Sequence, residues 1–159
     1  MTLIAAAVMV LLLGLWMLVG VWDNWRYPRI NKDIVAQVMR LERMEQDYPN
    51  EFARVAHRRV TSESHISVAF WMVCLWESLA TILLLIGAVL LGSASMNGAD
   101  PETARNVALA GALVFTSNWA GFLIGGNYFL YYFCHFEGQF THFLLLIWGA
   151  VVVTMLTLM

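Results

Sequence analysis

The sequence predicts an all-α fold: a four-helix transmembrane bundle, up-down-up-down, with an amphipathic helical loop between the first and second spans. Three observations carry this. Four apolar runs, at residues 3–22, 66–91, 107–135 and 140–159, are each long enough to cross a bilayer, for which about 20 residues suffice. Hydrophobic residues make up 60% of the chain, too many for a protein with an ordinary soluble surface. Charges gather in residues 23–65 and the other connections are short, so consecutive helices are expected to be antiparallel neighbours. A single integral membrane domain over residues 1–159 is expected.

The first run contains no charged residue. It lacks the basic flank of a signal peptide, and Val21-Trp22-Asp23-Asn24 after it is no small-x-small cleavage site, so a retained helix is expected. The loop that follows holds eight of the nine Lys and Arg residues and seven of the eleven Asp and Glu residues. Its near-balance of sign gives no field for nucleic acid. Ile34, Val38 and Leu41 recur at helical spacing, with Val35 and Met39 beside them, which predicts a short amphipathic helix broken at Tyr48-Pro49-Asn50. A second helical stretch is expected from Glu51 to about Val60, the whole forming an ordered cap.

The second run carries one charged residue, Glu77, near its middle. A turn of ordinary composition, Gly92 to Arg105, leads to the third run, with Pro101 and Glu102 suited to a first helical turn. In the third run Ser117, Gly121 and Gly125 are spaced four apart, a face that predicts close helix packing within the monomer. The connection around residues 135–139 follows a series of interfacial aromatics, and threading four spans puts it on the same side as the charged loop. Cys74 and Cys134 imply no disulfide framework.

Few groups offer chemistry. A charged Glu77 costs about 2.5 to 3.5 kcal/mol in a helix centre, so it is expected to be protonated, paired or facing a polar cavity. Its candidate partners are Asn118, Thr116, Ser78, Thr81 and His142, and a structural hydrogen bond between helices is expected ahead of proton chemistry. His65, His135 and His142 are the candidate cofactor ligands. Haem b in a bundle needs two histidines on facing helices, and only His142 lies inside a span, with Gly138 expected to break the helix between it and His135. No cofactor is therefore expected, haem b or a quinone being the alternatives. The nine Met form no Met-x-x-Met run beside His, so no metal is expected. No nucleophile triad, phosphate-binding loop or Cys-x-x-Cys appears, and catalysis by this chain alone is not expected.

Asp23-Asn24, Asn31, Val60-Thr61-Ser62, Trp71, Glu77, the stretch from Phe122 to Phe129, and Gly138-Gln139 occur in the order of a bacterial family. The chain resembles the predicted small integral membrane proteins of unknown function, which have four transmembrane helices. It departs from them at Asn127-Tyr128, where the family tends to have an acid and Trp, and at Phe136-Glu137-Gly138, where it tends to read Trp-Asn-Gly. The resemblance implies a multi-pass protein of the bacterial inner (cytoplasmic) membrane with the charged loop in the periplasm. The excess of Lys and Arg in that loop implies the reverse orientation.

These features predict a non-catalytic accessory or stabilising subunit of a larger inner-membrane complex, such as a respiratory or other oxidoreductase assembly. Its partners are the lipid bilayer and other membrane protein subunits. The alternative is a cofactor-bearing electron- or proton-transfer subunit using Glu77 and the histidines. A small transporter ranks last, because four helices without repeats or a broken helix offer no alternating-access site.

Overall fold

The computed structural model describes residues 2–159 and contains only helices and turns among them. Four helices are long and apolar enough to cross a membrane: α1 (Leu3–Arg26), α5 (Glu63–Ala94), α6 (Pro101–Tyr128) and α8 (Phe136–Thr157). Between α1 and α5 lie α2 (Pro28–Met39), α3 (Glu42–Asp47), α4 (Pro49–Val55) and a 3₁₀ turn at Ala56–Arg58, while α7 (Tyr131–Cys134) joins α6 to α8. Polar side chains set several starts. Thr2 accepts the Ala5 amide, Ser62 the His65 amide, and Asp100 the Thr103 amide at 2.8 Å. That last bond to the ionised form holds the Asp100 carboxyl below its usual range.

Helix α5 packs along both α1 and α6, and α6 packs along α8, but α1 and α8 touch only lightly. Their contact includes Trp16 edge-on to Trp148, with centroids 6.4 Å apart. The dense part of the core lies in the half remote from the cap. There Val10, Leu13, Leu84, Leu91, Phe115 and Val152 are fully buried around a seam of Ala and Gly. A Cβ on Gly87 would lie 2.6 Å from the Ala108 Cα, and one on Gly111 would lie 2.8 Å from the Leu84 amide nitrogen, so α5 and α6 meet at backbone contact. In the cap-side half the residues are larger, Phe70, Trp76, Trp119 and Phe122, and the helices stand apart.

The packing seam is therefore not the one expected. A Cβ on Gly121 would meet only the Trp76 ring at 3.9 Å, one on Gly125 would meet nothing within 4 Å, and Ser117 is exposed with its hydroxyl donating to the Val114 carbonyl. Small residues at helical spacing cannot by themselves say whether another backbone fills the space beside them.

Two element boundaries also differ. The third apolar run does not continue to residue 135, because Leu130 takes a left-handed φ of 54° and ends α6 at Tyr128. Arg58 donates to the Tyr128 carbonyl at 3.1 Å, satisfying one of the last carbonyls of α6. Gly138 does not break a helix either: it lies in the first turn of α8 under the Tyr131 ring, and the break falls at His135. In the cap, the amphipathic helix stops at Met39 instead of reaching Tyr48, since Leu41 turns left-handed at φ 55° and drives its side chain into the interior with Met44. The second stretch starts at Pro49 and tightens to the 3₁₀ turn, ending at Arg58.

The cap sits on the same side as α7, with Tyr48 edge-on to Phe133 at 4.7 Å. Three of the eight basic residues of the charged loop form ion pairs with four of its seven acids. Arg40 pairs with Glu63 and Glu42, Arg59 with Glu45, and Arg43 with Asp47 at 2.9 Å. Exposed pairs of this kind are each worth at most about 1 kcal/mol, so the buried Ala36, Leu41 and Met44 anchor the cap.

These contacts predict opposite outcomes for Gly87 and for the pair Gly121 and Gly125, measured by thermal unfolding in detergent. Gly87→Leu is expected to destabilise by about 1–3 kcal/mol or more through overpacking. Gly121→Leu and Gly125→Leu are expected to leave the midpoint nearly unchanged, and a large loss at Gly125 would show that this face is packed.

Candidate functional site

The splayed cap-side half leaves a partly open cavity of about 540 Å³ bordered by α1, α5, α6, α7 and α8, with α2 laid across it. Its walls are mostly apolar and aromatic, including Phe70, Trp76, Phe122 and Phe129, and its polar side chains fall into two groups.

The first group is a line of side-chain amides that ends on Glu77. Asn31 of α2 donates from Nδ2 to the Asn24 Oδ1 at 2.5 Å, and Asn24, near the end of α1, donates from its own Nδ2 to the Glu77 Oε2 at 2.6 Å. Both Asn24 and Glu77 are buried. Asn118 approaches the same carboxyl from α6 without closing a hydrogen bond, and its Nδ2 has no partner in the chain although the residue is only 3% exposed. Beside this line Trp25 donates from Nε1 to the Ser78 hydroxyl at 3.0 Å and packs on Trp71, so the end of α1 is held to α5 at two adjacent points.

The second group is formed by Tyr132, His142 and Trp119. The Tyr132 hydroxyl donates to the Phe122 carbonyl at 2.8 Å, and the His142 Nδ1 lies 3.2 Å from the same oxygen. Burial, with a smaller effect from Tyr131, pushes the Tyr132 phenol up to about 12, so it keeps its single proton. The roles of the Tyr132 hydroxyl and the His142 Nδ1 as donor and acceptor follow the tautomer of the ring. The His142 ring stacks on Phe122 and lies against Trp119, whose Nε1 is the second buried donor without a partner.

Of the residues expected at a site, Glu77, Asn118, Gly121, Gly125 and His142 line this one cavity, whereas His65 is exposed at the start of α5 and Ser117 is outside it. His135 stacks on Tyr131 and faces a small hollow between α7 and the cap. Only one histidine lines the cavity, so the facing pair that haem b needs is not assembled there. Among the described residues no group of three or more His, Cys, Asp or Glu is placed to hold a metal. Three expected partners of Glu77 are occupied locally: the hydroxyls of Ser78, Thr81 and Thr116 each donate to the carbonyl four residues back on their own helix. The partner that Glu77 does have, Asn24, lies where the first apolar run gives way to polar residues. Its signal was position: a carboxamide one helix-end away from a buried carboxyl.

Glu77→Gln retains an oxygen to accept the Asn24 hydrogen bond and is expected to change the unfolding midpoint little. Glu77→Leu strands the Asn24 amide and is expected to cost about 1–3 kcal/mol. Equal stability of the two variants in detergent would show that the bond contributes nothing.

A family model described as predicted small integral membrane protein (DUF2165) matches residues 2–159. No curated protein and no solved structure matches the chain. The match covers all the described residues, and the four spanning helices fit its description, so the chain belongs to this family of predicted small integral membrane proteins.

Proposed function

We propose that the protein holds a lipid-soluble small molecule in the cap-side cavity, and that it does so as a non-catalytic subunit of a bacterial inner-membrane assembly. One observation carries the binding role: a cavity of about 540 Å³ with mostly apolar and aromatic walls between the helices. Volumes of a few hundred Å³ with a few placed polar groups are typical of small-molecule sites. The cavity lies between helices long and apolar enough to cross a membrane.

The subunit role has separate support. The amphipathic α2 lays Asn31, Ile34, Val35 and Val38 on the cavity while Ile30, at 64% exposure, faces outward with Arg29 and Asp33. Arg40, Arg43 and Arg59 are answered by acids inside the cap, whereas Arg29 and Asp33 of α2 enter no ion pair among the described residues, so a partner would recognise this outer face of α2.

Mass spectrometry of the organic extract of protein purified in mild detergent tests binding. A molecule present in near-stoichiometric amount in the wild type is expected to fall at least several-fold in Gly125→Trp, which fills the cavity. Identical extracts containing only bulk lipid would contradict the proposal. For the subunit role, single cysteines at Arg29 and Glu51, in a background with Cys74 and Cys134 replaced by Ala, are expected to cross-link to another protein in native membranes. Products of this chain alone, or with lipid alone, would contradict it.

A further inference from the structure

We infer that the molecule held in the cavity is a lipophilic amine, a basic nitrogen on an apolar body, seated against Glu77; this rests on the binding role proposed above. The carboxyl is the group that selects it. Glu77 lines the cavity, is only 7% exposed, and has one of its two oxygens engaged: Oε2 accepts from Asn24 at 2.6 Å, while Oε1 accepts no hydrogen bond among the described residues. The polar atoms that are both closed off and without a partner are Asn118 Nδ2 and Trp119 Nε1; Oε1 is not one of them, so it keeps surface open to the cavity. Helix α5 aims it there. Ala69, Phe70, Val73, Trp76 and Glu77 recur at helical spacing along one cavity-lining stripe, with the carboxyl at the end remote from the cap.

A free carboxyl oxygen at this depth calls for a donor, and a cationic N–H makes the stronger bond to it. The chain brings no such cation, since no Lys or Arg lines the cavity, and Glu77 is its one acidic residue. An amine completes the pair without changing the proton count: a protonated Glu77 with a free amine and a carboxylate with an ammonium share the same single proton. The rings then act on the cation. Phe70, Trp76, Phe122 and Phe129 line the same cavity, and aromatic faces attract an ammonium and pack its apolar substituents. A phosphate or carboxylate head would meet Glu77 with no cation between them, and a plain hydrocarbon leaves Oε1 unanswered. An alcohol supplies a donor but no charge for the rings. Space for the apolar body lies beside Gly20 and Gly125, which line the cavity and where a Cβ would meet nothing within 4 Å.

The test uses the full chain in lipid nanodiscs and measures the excess of probe over protein-free nanodiscs at equilibrium. The probes are dimethyldecylamine, its uncharged shape match with CH in place of nitrogen, decanol and decanoate. The amine is expected to be enriched by the wild type well above the other three. Glu77→Gln keeps an acceptor for Asn24 but removes the charge, and is expected to weaken amine binding about tenfold, the loss of roughly one charged hydrogen bond. Thermal unfolding shows whether that variant folds, and the comparison of probes on the wild type decides the ligand class without it. Enrichment of the hydrocarbon or of decanol equal to that of the amine, or amine binding unchanged in folded Glu77→Gln, overturns the ligand class while leaving a lipophilic cavity in place. Preference for decanoate overturns it too. Enrichment of no probe, alike in wild type and Gly125→Trp, removes the binding role itself.

Discussion

Asn24 donates a hydrogen bond to Glu77 across the contact of α1 with α5, and the arrangement of the cap-side half follows from the need for it. A carboxyl in a spanning helix has no water to turn to, so another side chain must come to it. Asn24 sits two residues before the end of α1, and Asn31 three residues into α2 supplies its second bond. The line from Asn31 through Asn24 to Glu77 crosses the Tyr27 corner and holds α2 back over the bundle. The cap is thereby committed to lie across the cavity instead of extending from the membrane. From there Leu41 and Met44 find burial, and Tyr48 reaches Phe133 of α7.

The two halves of the bundle are built by opposite rules. Away from the cap, Gly87 against Ala108 and Gly111 against Leu83 and Leu84 bring α5 and α6 together until backbones touch, and dispersion between close surfaces holds them. Toward the cap, the large rings of Phe70, Trp76, Trp119 and Phe122 keep the helices apart, and the glycines opposite them leave room instead of closing it. Tight packing at one end carries the stability that lets the other end stay open. The same division separates the polar chemistry, since Glu77, Asn118, Tyr132 and His142 all face the open part.

Much of this was legible in the chain itself. Run lengths and lack of charge are properties of sequence alone, so the four spans and their antiparallel order could be read directly. The cap could be foreseen because Ile34, Val38 and Leu41 follow helical spacing, although its inner break could not, since a left-handed Leu41 is imposed by the burial of its side chain and leaves no local mark. Leu130 hid the end of α6 in the same way inside an aromatic run. The glycine face was misplaced because spacing gives a direction on one helix and says nothing of what stands opposite. Glu77 was evident as the costly residue, but its partner depends on the rotation of α1 against α5, a tertiary quantity. The cavity, made by what the helices do not fill, had no sequence signature beyond the mixture of Trp, Phe and Gly in the same stretch.

The central claim is that Asn24 and Glu77 act as a pair within the bilayer. A double-mutant cycle of Asn24→Leu and Glu77→Leu, followed by thermal unfolding in detergent, measures this directly. The predicted coupling is about 1–2 kcal/mol, near the upper end for hydrogen bonds between membrane helices, with the double variant more stable than the sum of the two losses would allow. Losses that add within about 0.3 kcal/mol would show the two side chains to be independent and would contradict the account.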